Sequence, residues 1–577
     1  MPTITVRHRT QGNTPFPPFS ARNFRDLSGG AVLGAAPPAG FADTALPVTG
    51  ATLAQSLYLS GFFAPPALCS GLGRCGLCRV RFLSAPPLPL DAERAVLSHH
   101  DLDAGWRLAC RRAPEEGAHV LVPALPARRA AAGAATGAEP RAGRFGLAVD
   151  LGTTSIHWRV VTLDGRADDR ADNAGLPHGI MTNPQMGAGS DVISRIAYAA
   201  REGGTETLGG LVTAALAATV AAASVEGYCV EELCAAANPA MTGIFLGCDT
   251  RSLARAPYAL PCPGNREAAV AGLPPVYIPP LIAPFVGGDV SAGYAALVLD
   301  PDAALGPAPE FPFLLADLGT NGECVLALSP HEALAASLPM GPALEGINLA
   351  YGSEAVPGAV TEYALTPRGL EPVVMGGGSP TEGGITATGG ITATGYLSLL
   401  RALRASGILS EDGLFAAKDG TPLARKLGGD EGAGTGTGME ARMGERSIRL
   451  PGRMALFASD VEEILKVKAS FTLAVSHLLR EAAIPAARLT RVCLAGSLGM
   501  HAPIAALTGL GFVPPGMGNK TVPVGNTSLA GAALFLKYRP VRETCARWAE
   551  AVTTLDLATD PAFGEAFARH MVFAWRA

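Results

Sequence analysis

The chain starts in a period of two. Residues 3 to 7, Thr3-Ile-Thr-Val-Arg7, place apolar and polar side chains on opposite faces, the pattern of a half-buried strand, read here as an edge strand. From about 12 to 48 no period survives among prolines, alanines and glycines, which predicts an irregular excursion. Residues 51 to 60 change period: apolar side chains gather on one face and Gly61 stops the run, predicting a short helix. Cys78-Arg-Val-Arg-Phe-Leu83 alternates again and predicts a strand. Arg128 to Gly143 is mostly Ala, Gly, Arg and Pro without period. It reads as a flexible linker spanning roughly 20 to 24 Å, enough for the units it joins to move independently.

Two later stretches are apolar throughout and break in the same way. Phe145-Gly-Leu-Ala-Val-Asp150-Leu-Gly-Thr-Thr154 and Phe313-Leu-Leu-Ala-Asp317-Leu-Gly-Thr-Asn321 each read as a buried strand ending in an aspartate and a Gly-Thr turn. A second apolar strand follows each, Ile156 to Val161 and Cys324 to Leu328. Such a hairpin offers backbone amides and a threonine hydroxyl to phosphate oxygens, and its aspartate can hold a hydrated Mg2+ between them. One such turn is common punctuation; two copies predict two lobes facing one cleft. Val492-Cys-Leu-Ala-Gly496-Ser-Leu-Gly499 is another buried strand, breaking at paired glycines before a helix from about Pro503. No Gly-Lys-Ser/Thr occurs, which excludes a P-loop.

Composition adds a globular frame. With 577 residues, 48 % hydrophobic and 16 % charged, the chain has room for three or four domains with ample cores. Its 70 glycines and 47 prolines promise many turns. A formal net charge of -5 offers no basic footprint for nucleic acid. The longest apolar stretch, Leu211 to Val225, is interrupted by Thr213, Thr219 and Ser224 and reads as too short and too weak to span a bilayer. The polar start, Met1-Pro-Thr-Ile-Thr-Val-Arg-His-Arg9, lacks the apolar core of a signal peptide. The expectation is a cytoplasmic chain that meets neither nucleic acid nor membrane.

Eleven cysteines, an odd number scattered along the chain, suit a reducing compartment. Four of them form a pattern. Cys69-Ser-Gly-Leu-Gly-Arg-Cys75-Gly-Leu-Cys78 is C-x5-C-x2-C, closed by Cys110 in Gly105-Trp-Arg-Leu-Ala-Cys110. Its first gap is one residue longer than in the plant-type ferredoxin spacing that holds a [2Fe-2S] cluster. Glycines 71, 73 and 76 let backbone amides approach the sulfides in conformations that a Cβ disfavours. A zinc site or a disulfide framework is the competing reading, although structural zinc favours two paired knuckles and here the fourth cysteine stands alone. Helix, cysteine loop, strand and late fourth cysteine is the order of a β-grasp ferredoxin. Cys545 stands alone near the C terminus, which argues against a further iron-sulfur centre there.

The paired hairpins resemble the phosphate loops of the superfamily that holds actin, the heat-shock chaperones and the sugar kinases. There, nucleotide lies between two lobes of ribonuclease-H-like topology and meets a late glycine-rich turn. Further segments sharpen the likeness: Asn183-Pro-Gln-Met-Gly-Ala-Gly-Ser-Asp191-Val-Ile-Ser-Arg195-Ile, Asn238-Pro-Ala-Met-Thr-Gly, Pro284-Phe-Val-Gly-Gly-Asp289, Gly341-Pro-Ala-Leu-Glu345-Gly346 and Gly525-Asn-Thr-Ser-Leu-Ala-Gly531. With the cysteines, they make the chain, to about residue 540, similar to the ATP-dependent reductive activators of corrinoid proteins.

That resemblance implies an α/β multidomain fold: a [2Fe-2S] ferredoxin-like β-grasp domain over 1–123, a linker over 124–143, and a two-lobed actin-like ATPase. The first ATPase lobe is expected over 144–240, and a large ATPase and partner-binding region over 241–577. It implies one-electron reduction of an inactive Co(II) corrinoid to Co(I), coupled to ATP and Mg2+. The partner would be the corrinoid protein of a methyltransferase system, fed by a low-potential electron donor, and a homodimer is compatible with this.

The resemblance also distributes roles. Cys69, Cys75, Cys78 and Cys110 would hold the cluster. Asp150 and Asp317 would orient Mg2+ and water. Gly152, Thr153, Thr154, Gly319, Thr320 and Asn321 would hold phosphates, and Gly496 and Gly499 would border the adenosine. Asp191, Asp289 and Glu345 are acidic candidates for the hydrolytic water or metal, each with a helix cap or surface turn as its alternative. Two other functions stay open: a chaperone-like cobalamin reactivase driven by ATP alone, and an iron-sulfur carrier with an ATP-sensing domain. The immediate repeat Gly383-Gly-Ile-Thr-Ala-Thr388, Gly389-Gly-Ile-Thr-Ala-Thr394 leaves unsettled which copy faces the cleft, and Gly432 to Gly438 reads as a surface loop.

Overall fold

The computed structural model of the chain describes residues 2–9, 37, 40–66, 68–123, 141–163, 175–319, 321–346, 348–367, 369–376, 390–415, 446–451, 454–496, 501, 503–557 and 560–576. Its first sheet is built from β1 (Thr3–Arg9), β2 (Phe41–Pro47), β3 (Arg79–Phe82), β4 (Trp106–Leu108) and β5 (His119–Leu121), in the order β2-β1-β5-β3-β4. β1 and β5 run parallel; the other neighbours are antiparallel. The expected edge strand is therefore an inner one. Ile4 and Val6 are fully buried, and the buried polar residues Arg7 and His8 are satisfied by Asp43 at 2.7 Å and Thr44 at 3.0 Å. β2 takes the edge instead, within the stretch expected to be irregular. Its mixed burial carries no clear period of two, and pairing with β1 supplies the order that side chains do not advertise. The helix Leu53–Tyr58 follows, capped by the Thr52 hydroxyl and burying Leu53, Leu57 and Tyr58.

The second sheet joins β6 (Phe145–Leu151), β7 (Ser155–Thr162), β8 (His178–Thr182), β9 (Val230–Ala236), β10 (Arg266–Ala268) and β11 (Val276–Ile278), in the order β10-β11-β9-β6-β7-β8. The third begins with β12 (Phe313–Leu318), β13 (Asn321–Ser329) and β14 (Glu332–Pro339). Two ribbons intervene, β15 (Val360–Thr366) with β16 (Gly369–Val374), and β17 (Ser447–Leu450) with β18 (Met454–Phe457). β19 (Arg491–Ala495), β20 (Thr521–Gly525) and β21 (Val552–Leu555) complete the order β20-β19-β12-β13-β14-β21.

The duplication read from two short motifs extends to whole sheets. β8-β7-β6-β9-β11 and β14-β13-β12-β19-β20 share one scheme: three antiparallel strands, then two parallel ones beside the first. This is the ribonuclease-H-like arrangement twice over, an α/β architecture with β10 and β21 added at unlike edges. The first lobe reaches further than expected, because the boundary placed at 240/241 cuts the helix Pro239–Phe245 and the sheet continues to Ile278.

Between the two sheets lie the helices Gly288–Val298 and Thr527–Lys537, in a core fed by Ala148 and Cys234 from one sheet and Leu315 and Cys493 from the other. A Cβ on Gly531 would stand 1.9 Å from the Ala292 carbonyl oxygen, so the two helices touch backbone to backbone. The stretch around Leu211 is part of one 22-residue helix, Gly204–Val225, longer than the sequence indicated and long and apolar enough to cross a membrane. Here it lays Leu208, Val212, Leu216 and Ala223 into the core of the first lobe.

The N-terminal unit is docked on that lobe. Leu59 is buried in the lobe's core and Met186 of the lobe is buried in the N-terminal core. A Cβ on Gly187 would meet Tyr58 Cβ at 2.9 Å. In the structure, packed side chains rather than a free tether set the relation of the two. Of the linker, residues 124–140 lie outside the described ones, as do Gly383 to Gly389 and Gly432 to Gly438.

Candidate functional site

The two hairpins open on one cleft of about 670 Å3, whose lining includes Asp150, Gly152, Thr153, Thr154, Asp289, Asp317, Gly319, Asn321 and Gly496. Each aspartate ends the first strand of its sheet, since a buried strand must deliver its polar terminus where the chain turns. Asp150 accepts from Asn526 Nδ2 at 2.7 Å and Ser528 Oγ at 3.0 Å. The turn after it is braced from behind: Asn183 donates its backbone N–H to Thr154 O at 2.8 Å and Nδ2 to Gly152 O at 2.9 Å. Asn238 Nδ2 reaches Thr153 Oγ1 at 3.2 Å. At Gly496, φ is +82° and a Cβ would stand 2.5 Å from Asp317 Oδ1, so only glycine lets this turn pass the carboxylate.

Electrostatics set the cleft apart from an ordinary groove. Burial, with the Asp150 charge nearby, pushes the Asp289 carboxyl up to about 7. Burial, with Asp150 and Asp289, pushes Asp317 up to about 7. Asp150 is raised by burial despite its donors. Glu323, opposite Asp317 in the β12–β13 register, is raised well above the usual range by burial and by Asp289 and Asp317. Hard carboxylate oxygens that repel one another in a cleft match the donor chemistry of Mg2+, whose charge would relieve that repulsion.

The cysteine loop builds a second cavity, of about 280 Å3, with Cys69, Cys75, Cys78 and Cys110 in its lining. Ser70 and glycines 71, 73 and 76 all have positive φ, the left-handed turns that wrap the loop. Among the described residues no three ligating side chains gather around a single point. The thiols pair two by two instead. The neighbouring Cys75 thiol, helped by the amides of Gly73, Arg74 and Cys75, pushes the Cys69 thiol down to about 5, and Cys75 is itself raised. Cys78 lowers the Cys110 thiol likewise and is itself raised, with burial adding to the rise. Two thiol pairs on one cavity, with amides converging on a sulfur, fit the two-iron cluster better than one zinc ion.

Not every residue singled out in the sequence joins these sites. Asp191 is not among the residues lining the cleft. It caps the helix Val192–Ala199 through Ser194 and accepts from Ser70 Oγ at 2.6 Å, beside the cysteine loop. Burial would raise its carboxyl, but the bonds from Ser70 and Ser194 outweigh this and lower it. Glu345 ends the short turn Pro342–Glu345 next to the cleft residue Leu344; its side chain, like Thr320 and Gly499, lies outside the described residues. Of the tandem repeat, the second copy reaches the cleft, where Thr392 and Thr394 line it and Thr392 caps the helix Ala393–Ala405. Glu323, His157, Asn526 and Ser528 were given no role from sequence. Strand alternation puts Glu323 on the face of Asn321, and Asn526 and Ser528 sat unused in a segment already singled out.

Two family models match the chain, the RACo middle region over residues 145–302 and the C-terminal domain of RACo, the ASKHA domain, over residues 312–576. The corrinoid activation enzyme RamQ of Eubacterium limosum is 26 % identical over 458 residues, 74 % of this chain and 70 % of that protein. A component of the Na(+)-translocating NADH-quinone reductase of Chlamydia trachomatis serovar D is 40 % identical over 63 residues, 11 % of this chain and 14 % of its own length. Among solved structures, a reductive activator for corrinoid, iron-sulfur protein superposes with a TM-score of 0.60 at 21 % identity, over 92 % of this chain and 97 % of that one, a likeness of fold. Matched through both its middle and its C-terminal regions, the chain belongs to the RACo family.

Proposed function

We propose that this chain is an ATP-dependent reductive activator of a corrinoid protein, returning an inactive Co(II) corrinoid to Co(I) by one electron. The observation that carries the reading is the union of a four-thiol cavity with a two-lobed, carboxylate-lined cleft in a single chain. Cys69 with Cys75, and Cys78 with Cys110, would each hold one iron of a [2Fe-2S] cluster, which supplies a single electron at low potential. Asp317, Asp289 and Asp150 would share Mg2+, with Glu345 as a further acidic candidate. The turns at Gly152 to Thr154 and Gly319 to Asn321 would hold phosphates, and Gly496 and Gly499 would border the adenosine.

The residues around the cleft can do two things to a nucleotide. Their amides and hydroxyls fix its phosphates, and the lobes, joined across the Gly288–Val298 and Thr527–Lys537 helices, can close on it. Because each 59 mV of unfavourable one-electron potential costs about 1.4 kcal/mol, ATP can help only where its bound states differ in affinity for the partner or in how the partner's cobalt is held. We assign the N-terminal unit to residues 1–123 and the lobes to residues 144–302 and 312–576. None of the eleven cysteines is paired in a disulfide, which supports a reducing, cytoplasmic setting for this reading. The partner, the low-potential donor and any homodimer belong to this proposal.

The test is Co(I) absorbance after mixing anaerobic protein, reductant and an oxidised corrinoid protein. Co(I) should form with Mg-ATP and intact cysteines, fall to background without ATP, and fall to background in Cys110→Ser. Reactivation by the Cys110→Ser protein at the full rate would instead indicate an ATP-driven reactivase.

A further inference from the structure

The segment from Asn183 to Asp191 touches both sites. At one end, Asn183 holds the carbonyls of Gly152 and Thr154 in the first hairpin. Its Oδ1 accepts from Gln185 N at 2.9 Å, starting the turn Pro184–Ala188. In the middle, Met186 is buried in the N-terminal core, and Met186, Gly187, Ala188 and Gly189 form one wall of the cysteine cavity. At the other end, Ser190 N donates to Ser70 Oγ at 2.8 Å, and Ser70 Oγ donates to Asp191 Oδ2 at 2.6 Å. Ser70 follows Cys69 directly and sits at φ 49°, a conformation a serine rarely adopts without being held.

A second route runs alongside. Asn238, which holds Thr153, accepts from Met241 N at 2.9 Å, and Met241 Sδ takes Arg195 Nη1 at 3.3 Å. The buried Arg195 guanidinium also reaches Gln185 Oε1 at 3.1 Å and Gly189 O at 3.0 Å. Both routes start on the backbone or hydroxyl of the nucleotide hairpin and end on the strap that seats the cysteine loop.

We propose that residues 183–191 form a transmission strap, which makes occupancy of the nucleotide cleft and the redox state of the cysteine-held cluster sense one another through the seating of Ser70. The inference rests on the electron-transfer reading above and deepens it. Hydrogen bonding and solvent access around the thiolates set the potential of such a cluster. The strap controls both here: Ser190 and Asp191 fix the residue after Cys69, and Met186 to Gly189 wall one side of the cavity. Phosphates that pull on the first hairpin must strain or relax Asn183 and Asn238, since both bind its backbone or hydroxyl. Coupling of this kind is reciprocal. If nucleotide binds tenfold more tightly to one redox state, the one-electron midpoint must shift by about 59 mV on binding.

Two variants act on the strap away from the cleft. Gly187→Leu wedges a side chain against Tyr58 and Leu59, where even a Cβ lacks room. Ser70→Ala removes the hydroxyl that joins Cys69's neighbour to Ser190 and Asp191. The midpoint potential of the holoprotein would be measured by anaerobic titration with and without Mg2+ and a non-hydrolysable ATP analogue, alongside analogue affinity and amide exchange of residues 69–78. In the wild type, analogue should shift the midpoint by tens of millivolts and change exchange in the cysteine loop. Both variants should bind analogue to the oxidised protein within about twofold of wild type yet lose most of that shift, and with it the difference in affinity between redox states. A wild-type midpoint and loop exchange that ignore bound analogue would overturn the strap while leaving ATP-dependent Co(I) formation intact. An unchanged shift in Gly187→Leu would overturn it too. Absence of analogue binding in the wild type would remove the proposed function and the inference together.

Discussion

Asp150 and Asp317 end equivalent strands of duplicated sheets, yet they are held differently. Asp150 receives Asn526 and Ser528, and the turn after it is braced by Asn183 and Asn238. Asp317 has no hydrogen-bond donor among the described residues and faces Asp150, Asp289 and Glu323 with its proton affinity raised to about 7. The strand order is shared by the two sheets, while on the proposed reading the two hairpins contribute in different ways. The first is a mechanical part, tied into its lobe and toward the cysteine loop; the second is an electrostatic part that a cation would complete.

The largest expected effect breaks the second half of that comparison. Asp317→Asn should reduce Mg2+-dependent phosphate release by about a hundredfold or more, because the carboxylate it loses is a proposed Mg2+ ligand. Above pH 7, where Asp317 is ionised in the fold, the same change should raise the melting temperature of the metal-free protein, since it removes a charge from a group of like charges. A variant that hydrolyses ATP normally, or melts lower without metal, would mean that Asp317 is not the strained member of the pair.

A pH series sharpens the same point. Asp289 and Asp317 hold protons in the folded chain up to about pH 7, whereas the unfolded chain releases them near 3.8. Between these values the folded state binds more protons, so stability of the metal-free protein should fall as pH rises through that window. Mg2+ should stabilise most above pH 7, where both carboxylates are ionised in the fold. Melting curves with EDTA and with Mg2+ from pH 5 to 8.5 should diverge as pH rises; parallel curves would contradict this electrostatic account.

The first hairpin should respond more mildly. Asn183→Ala frees the Gly152 carbonyl and removes the cap on the turn Pro184–Ala188. At about 1 kcal/mol for the bond to the Gly152 carbonyl, KM for ATP should rise roughly fivefold, with the visible iron-sulfur spectrum retained. A drop in kcat with unchanged KM would instead place Asn183 in the chemistry.

What the sequence disclosed follows from what is local. The strand-aspartate-glycine turns and the cysteine loop are contiguous, and each carries its own conformational signature, so both sites were legible from short stretches. The equivalence of the two sheets was legible only as an echo, because β9 and β11 or β19 and β20 pair across long separations that no motif spans. β2 was hidden because its partner, not its own pattern, orders it. The docking of the N-terminal unit was hidden for a related reason: Leu59 and Met186 look like ordinary core residues, and only the fold shows that each is buried in the other unit's core. Glu323 was missed although alternation from Asn321 pointed to it, since a glutamate on a strand reads first as a solvated face.

The smallest expected effect separates Asp191 from the cleft acids. In sequence it was one of five candidate catalytic acids, but the fold spends its carboxylate on Ser194 N at 2.8 Å, Ser194 Oγ at 2.7 Å and Ser70 Oγ at 2.6 Å. An asparagine can keep the helix cap, because its amide oxygen accepts from the same backbone N–H, while the amide nitrogen that replaces Oδ2 can only donate toward the Ser70 and Ser194 hydroxyls. Asp191→Asn should therefore leave ATP turnover within about twofold of wild type, against the hundredfold loss at Asp317, when both are assayed by phosphate release at saturating Mg-ATP. A tenfold or greater loss at Asp191 would place a second acid of the first lobe at the phosphates, and the division between a mechanical and an electrostatic hairpin would have to be redrawn.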